Sequence, residues 1–133
     1  MRPFTILVVE DESLVRKLVA RMLRGLGHSV LEAQSGEEAD SLVKDSERGP
    51  DLIIADISMP RVSGPRVVEQ IRKTCPDAKV LYMSGYSGMA CRNHAPLNPG
   101  ATVLLKPFDQ QDLVKAIDQV MAAGGAMHTT PAS

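Results

Sequence analysis

The chain has 133 residues, the usual size of one domain, and its 44% hydrophobic and 23% charged residues are the balance of a folded globular protein. Its formal net charge of −1 lacks the basic excess that binds a nucleic-acid backbone or an anionic membrane. With two Phe, two Tyr and no Trp, it also lacks the aromatic residues of a stacking platform for single-stranded nucleic acid. We therefore expect a soluble protein that binds neither nucleic acid nor membranes directly.

Cysteine usage and the N-terminal segment indicate the compartment. Cys75 and Cys91 form no CxxC pair and no disulfide framework, which is typical of a reducing environment. The longest apolar run, Ile6 to Val9, is too short to span a bilayer, and Met1 to Pro3 leads into it without the apolar region of a signal peptide. A cytoplasmic location is the expectation.

Strand-type and helix-type segments alternate along the chain. Five apolar segments have the length and residue types of β-strands, at residues 4–9, 28–33, 51–56, 79–83 and 101–105. Apolar residues recur at helical spacing in residues 14–26, 39–43, 67–71 and 113–121. Ser35 and Glu38 predict a capping box for the second helix, and Asp109 is expected to cap the last one.

Two segments are expected to be less ordered. Residues 84–100 are rich in small and turn-forming residues, so any helix there should be short and weakly held. From Gly124 to Ser133 the composition turns to Gly, Ala, Thr and Pro, which predicts a disordered tail at residues 124–133. The folded domain is accordingly assigned to residues 1–123.

The alternation predicts a doubly wound α/β fold. Short connections between alternating strands and helices imply right-handed crossovers and a parallel sheet with helices on both faces. In such sheets, ligands bind at the carboxyl ends of the strands.

Polar side chains follow four of the five predicted strands at that edge: Glu10, Asp11, Glu12, Asp56, Ser84 and Lys106. Carboxylates brought together repel each other unless a cation lies between them, and oxygen ligands favour Mg²⁺. Magnesium and a lysine both neutralise a phosphoryl group, and a serine hydroxyl can donate to one of its oxygens. Asp56, on a strand expected at the centre of the sheet, is the candidate nucleophile because aspartyl phosphates are a known class of covalent intermediate.

Each of these residues also has an ordinary structural interpretation. An Asp at a strand end is more often a helix cap, a lone Lys is a surface residue, and a lone Ser forms turns. Their joint occurrence after strands one, three, four and five is what indicates a site. Glu12 is interpreted as a first-turn residue that favours the dipole of the following helix.

Four segments resemble the receiver domain of two-component response regulators. They are ILVVEDE (Ile6 to Glu12), DLIIADISMP (Asp51 to Pro60), MSGYS (Met83 to Ser87) and LLKPF (Leu104 to Phe108). The segments occur in order at receiver-like spacing, and the resemblance runs from about Phe4 to Met121. The SGY form is most similar to receivers attached to hybrid sensor kinases. The resemblance implies a five-stranded sheet of flavodoxin-like order 2-1-3-4-5.

The resemblance also implies a phosphorylation site. Asp56 would accept a phosphoryl group from a phosphohistidine. Asp11 would bind Mg²⁺ directly, Glu10 would bind it mostly through water, and Asp56 with the main-chain carbonyl of Ser58 would complete the protein ligands.

Further roles follow from the same resemblance for residues of the fourth and fifth strands. Ser84 would be the switch hydroxyl, and Lys106 would pair with Asp56 at rest and with the phosphoryl group afterwards. The peptide bond to Pro107 would be cis. Gly85 would keep access to the site open, and Tyr86 would flank it and influence hydrolytic water.

One position departs from the family pattern. Receivers often carry an aromatic residue three positions before the lysine, and here that residue is Val103. This leaves open a second hypothesis, in which the domain is a non-phosphorylated pseudo-receiver that acts as a protein-interaction module. The intact set of acidic, serine and lysine residues argues against it.

An enzyme of the same fold is the third hypothesis. A phosphatase with an aspartyl intermediate would carry a DxD pattern after the first strand, and a flavin or nucleotide binder would carry a phosphate-binding loop there. The segment Glu10 to Glu12 matches neither. We therefore expect no enzymatic turnover beyond magnesium-dependent self-phosphorylation and slow autodephosphorylation.

The expected partners follow from the resemblance. The donor would be a sensor histidine kinase or a histidine phosphotransfer protein. A phosphorylation-dependent dimer could form through the fourth helical segment, the fifth strand and the last helix. Because the receiver motifs occupy the ordered chain, no DNA-binding or catalytic output domain is expected within it, so it would act alone or as a fragment of a hybrid protein.

Overall fold

A single parallel sheet forms the centre of the molecule. The computed structural model describes residues 3–85 and 101–126, with side chains to residue 122. Its strands are β1 (Thr5–Val9), β2 (Ser29–Ala33), β3 (Leu52–Asp56), β4 (Lys79–Ser84) and β5 (Thr102–Leu105). They lie in the order β2-β1-β3-β4-β5, and all four pairings are parallel. The predicted fold class and strand order are confirmed.

Helices cover both faces of the sheet. Within the described ranges they are α1 (Ser13–Gly25), α2 (Gly36–Asp45), α3 (Gly64–Thr74) and α4 (Gln110–Ala126). Successive strand side chains point to opposite faces, so Ile6 and Val8 pack with α1 and α4 while Leu7 and Val9 pack with α2 and α3. Both sets are fully buried, which explains why the central strands are continuous apolar runs. None of the described helices is both long enough and apolar enough to cross a membrane.

The predicted caps are present at two helices. The Ser35 hydroxyl accepts a hydrogen bond from the Glu38 amide (3.1 Å), and the Glu38 carboxylate accepts one from the Gln34 amide (2.7 Å). The Asp109 carboxylate accepts one from the Asp112 amide (2.8 Å). Glu12, expected in the first turn of α1, is instead its N-cap residue, because its carbonyl accepts the first helical hydrogen bond.

The end of the chain differs from the expectation. The predicted tail begins at Gly124, but α4 continues to Ala126. Glycine weakens a helix interior by only about 1 kcal/mol relative to alanine, so two glycines at the end of a long helix need not stop it. Residues 127–133, and the weak helix expected in residues 86–100, lie outside the described residues.

Candidate functional site

Three carboxylates meet at the carboxyl edge of the two central strands. Glu10 and Asp11 follow β1, and Asp56 is the last residue of β3, the strand that pairs with β1 through Val9 and Ala55. One carboxylate oxygen from each of Glu10, Asp11 and Asp56 lies within 4.8 Å of the others. Glu10 and Asp56 are buried, whereas Asp11 is exposed. The cluster follows from the parallel pairing of β1 with β3.

Lys106 reaches this cluster from the far edge of the sheet. Its Nζ donates to Glu10 Oε1 at 2.8 Å and to Asp56 Oδ2 at 2.7 Å. Its backbone N–H donates to the Ser84 carbonyl at 2.8 Å, which ties the end of β5 to β4, and the peptide bond to Pro107 is cis, as expected. The ammonium group therefore lies between two buried carboxylates.

Burial and charge act together on the titration of these groups. Burial raises the pKa of Glu10 from 4.5 to about 7; the neighbouring Asp56 adds to this rise, and the hydrogen bond from Lys106 opposes it. Burial alone would lower the pKa of Lys106, but its hydrogen bonds and charge interactions with Asp56 and Glu10 outweigh burial and raise it. Lys106 is thus a cation at neutral pH.

The donor set fits a hard divalent cation. Three carboxylates and one ammonium group leave an excess of two negative charges when all are ionised, which a second cation would compensate. All the side-chain donors are oxygens, which is the preference of Mg²⁺. Glu10, Asp11 and Asp56 are the side chains that would hold it.

The loop after β3 is anchored to Asp56. The Ser58 amide donates to Asp56 Oδ1 at 2.9 Å, so both Asp56 carboxylate oxygens accept hydrogen bonds, one from this amide and one from Lys106. The Gly64 amide donates to the Ile57 carbonyl at 2.9 Å, and a Cβ added at Gly64 would overlap the Asp56 carbonyl oxygen. The site thus depends on a close approach of α3 to the end of β3. The role of the Ser58 carbonyl as a metal ligand stays a prediction.

The remaining predicted site residues lie around this centre. Ser84 ends β4, one position after the residue paired with Asp56, and its buried hydroxyl has no hydrogen-bond partner among the described residues. No heavy atom of the described chain lies within 4 Å of a Cβ added at Gly85. Val103 is partly buried, opposite Tyr82 on the face covered by α2 and α3. Pro107 is exposed, and Tyr86 lies outside the described residues.

One residue beside the site was missed from the sequence. Arg16 Nη1 donates to the carbonyl oxygen of Glu10 at 2.9 Å. The position of Arg16 in the helix could have indicated this contact. Side chains in a helix point back toward its N-terminus, and Arg16 lies four positions after the N-cap residue Glu12. The arginine was overlooked because charged helix residues are usually exposed.

The comparisons with known proteins agree with this geometry. The profile of the response regulator receiver domain matches residues 6–118. The chain is 34% identical over 117 residues to sensor kinase CckA of Brucella abortus (strain 2308), and this covers 88% of the chain and 12% of CckA. It is 39% identical over 113 residues to response regulator MprA of Mycolicibacterium vanbaalenii, which covers 84% of the chain and 48% of MprA.

The fold agrees with a solved structure of the same kind. The receiver domain of hybrid histidine kinase CckA superimposes with a TM-score of 0.72 at 37% identity, covering 88% of this chain and 98% of that one. The similarity to a hybrid-kinase receiver matches the expectation from the SGY motif. The chain therefore belongs to the response regulator receiver domains, the receiver modules of two-component systems.

Proposed function

We propose that this receiver domain accepts a phosphoryl group from a phosphohistidine onto Asp56, with Mg²⁺ held by Glu10, Asp11 and Asp56. The observation that carries the proposal is the position of Asp56: one carboxylate oxygen lies 2.7 Å from the Lys106 ammonium group, within a cluster of three carboxylates. Positive charge beside Asp56 supports the proposal, because it would stabilise the oxygens of an incoming phosphoryl group.

In the proposed reaction, one Asp56 oxygen forms a bond to phosphorus while the bond from phosphorus to the histidine nitrogen breaks. The histidine ring leaves with the electron pair and takes a proton from solvent. Bound Mg²⁺ would supply charge neutralisation for the phosphoryl oxygens. The Ser58 amide orients the Asp56 carboxylate, and the Lys106 ammonium group moves onto a phosphoryl oxygen. The Ser84 hydroxyl, which has no hydrogen-bond partner among the described residues, donates to another phosphoryl oxygen.

This chemistry gives a phosphorylation switch without turnover of a free substrate. Asp56 takes the phosphoryl group once per cycle, and water removes it slowly, so the domain acts as a switch rather than as an enzyme with a free substrate. The new charge on Asp56 would draw Ser84 and Lys106 inward and shift the loop after β3.

Labelling with a small phosphodonor tests the proposal. Acetyl phosphate with Mg²⁺ is expected to phosphorylate the wild-type chain, as measured by intact-protein mass spectrometry, and a chelator should abolish the reaction. Asp56→Asn should not be labelled, because an amide oxygen is a poor nucleophile. Asp51→Asn, at the opposite end of the same strand, is the matched control and should be labelled like the wild type.

Undiminished labelling of Asp56→Asn would overturn the proposal. A wild-type chain that binds Mg²⁺ in calorimetry but is never labelled would instead support the pseudo-receiver alternative, for which Val103 is the one observation in favour.

A histidine kinase or histidine phosphotransfer protein is the proposed donor, and exposed leucines support a protein rather than a small-molecule donor. Leu14 and Leu18 belong to the apolar pattern of α1, yet they are 84% and 52% exposed. Leu105, directly before Lys106, is 56% exposed. Leu14 and Leu105 lie at the carboxyl edge of the sheet, and Leu18 follows one turn along α1. We call these three residues the leucine surface. Dimerisation on phosphorylation stays a prediction.

Leu14→Glu is expected to slow phosphotransfer from a protein donor about tenfold, because a charge would replace an apolar contact worth about 1.4 kcal/mol. The measurement uses a phosphorylated kinase or phosphotransfer protein that labels the wild-type chain, with acetyl phosphate run in parallel. Gln119→Glu adds the same charge on an exposed position of α4 and should leave both rates unchanged. Equal slowing with acetyl phosphate would contradict a docking role for the leucine surface.

A further inference from the structure

Arg16 connects the acidic loop after β1 to the edge strand β2. Its Nη1 donates to the Glu10 carbonyl at 2.9 Å, and its backbone N–H donates to the Glu12 carbonyl at 2.9 Å. Its Nε lies 3.6 Å from Glu32 Oε1, and the side chain is only 11% exposed. We propose that Arg16 is a positioning residue that holds the Glu10–Asp11 peptide in the orientation needed for Mg²⁺ binding. This inference rests on the proposed function.

The hydrogen bond from Arg16 acts on the peptide plane between Glu10 and Asp11. The Glu10 carbonyl and the Asp11 amide belong to one rigid peptide unit. A hydrogen bond to that carbonyl therefore restrains the direction in which the Asp11 side chain projects from the backbone. Asp11 is exposed, and its side chain makes no hydrogen bond to the described residues, so its backbone is what directs it toward Glu10 and Asp56.

Glu10 is held by hydrogen bonds to both its main chain and its side chain. Its amide donates to the Ala33 carbonyl at 3.0 Å, and its Oε2 accepts from the Glu12 amide at 3.2 Å. Arg16 satisfies the remaining main-chain acceptor of this buried residue. A hydrogen bond from a charged donor to a buried carbonyl is stronger than one from a neutral donor. Loss of the hydrogen bond from Arg16 would therefore free the Glu10–Asp11 peptide to rotate.

Glu32 holds the Arg16 side chain in place. Glu32 lies on β2 opposite Val8, and it also accepts a hydrogen bond from Arg24 Nη1 at 3.1 Å. The Arg24 side chain is 53% exposed, and its Nη2 donates a second hydrogen bond to the Val30 carbonyl. Glu32 therefore has two arginine partners, of which only Arg16 reaches the acidic loop.

A positioning role for Arg16 and simple charge repulsion predict opposite changes in Mg²⁺ affinity when Arg16 is removed. Arg16 is a cation near a cation site, so if only its charge mattered, removing it would tighten Mg²⁺ binding. If it positions Asp11, removing it would weaken binding. Glu32 compensates part of the Arg16 charge, although it also pairs with Arg24, and we expect the positioning effect to be the larger.

The test measures Mg²⁺ binding to the whole chain by calorimetry. Arg16→Met is expected to raise the Kd for Mg²⁺ about three- to tenfold, and Arg16→Lys, which keeps the charge and one donor, should recover part of the loss. In phosphorylation by acetyl phosphate, the concentration of Mg²⁺ giving half the maximal rate should rise by the same factor. The rate at saturating Mg²⁺ should stay within twofold of the wild type, which a merely unstable protein would not show.

Arg24→Met is the matched control, since it removes the other partner of Glu32 without touching the acidic loop, and its Kd should equal that of the wild type. An unchanged or tighter Kd for Arg16→Met would overturn the inference, as would an equal rise in both variants. Arg16→Lys keeps the test informative if Arg16→Met does not fold. Failure of the wild-type chain to bind Mg²⁺ would overturn the proposed function itself.

Discussion

Lys106→Met is expected to lower the free energy of unfolding of the magnesium-free protein by about 2–4 kcal/mol. The substitution keeps a long side chain but removes the cation between Glu10 and Asp56, whose oxygens lie 2.8 and 2.7 Å from Lys106 Nζ. Breaking a fully buried ion pair costs about 3–5 kcal/mol, and the value here is lower because the lysine side chain is 20% exposed. Urea unfolding followed by circular dichroism in the presence of a chelator measures the loss.

Two further variants separate charge from packing. In the double variant Lys106→Met with Asp56→Asn, at least half of the lost stability should return, because the exposed Asp11 is then the one other carboxylate of the cluster and no second buried carboxylate faces Glu10. Lys44→Met removes a lysine from an exposed pair with Asp40 (3.0 Å, lysine side chain 65% exposed) and should cost no more than about 0.5 kcal/mol. If the double variant were as unstable as Lys106→Met, lost packing rather than the uncompensated carboxylates would be responsible.

Gly64→Ala is expected to lower the free energy of unfolding by about 1–3 kcal/mol and to slow phosphorylation by acetyl phosphate. The added Cβ would overlap the backbone carbonyl oxygen of Asp56, and backbone cannot move aside as a flexible side chain can. Relief requires α3 to shift away from the end of β3, which would disturb the loop that donates to Asp56 through Ser58. Urea unfolding and initial labelling rates measure the two effects.

Gly25→Ala is the matched control for Gly64→Ala. Gly25 ends α1, and no heavy atom of the described residues lies within 4 Å of a Cβ added there. Alanine has the higher helix propensity, so this variant should be unchanged or more stable by up to about 1 kcal/mol, with normal labelling. A Gly64→Ala protein as stable and as reactive as Gly25→Ala would show that the loop after β3 tolerates movement.

The order of strands and helices could be predicted from the sequence because local patterns encode it. Continuous apolar runs such as Ile6 to Val9 occur where a strand is covered on both faces, and they alternate with segments of helical periodicity. The resemblance supplied the strand order. The end of the last helix does not follow from local pattern, since Gly124 and Gly125 are weak helix formers that nevertheless continue α4.

The order of the strands along the chain also specifies which polar residues reach one edge, because parallel strands all end on the same side of a sheet. For this reason the sequence alone predicts that Glu10, Asp11, Asp56, Ser84 and Lys106 lie together.

The interactions among these residues depend on tertiary packing. The resemblance implied that Lys106 pairs with Asp56, but nothing in the sequence indicated its second hydrogen bond, to Glu10, which lies 96 residues away. The pKa of Glu10 is raised to about 7 because neighbouring elements bury its side chain. The contact with the Glu10 carbonyl depends on one conformation of the Arg16 side chain. Sequence periodicity specifies which face of an element is apolar, whereas distances, burial and hydrogen-bond partners arise when distant elements pack together.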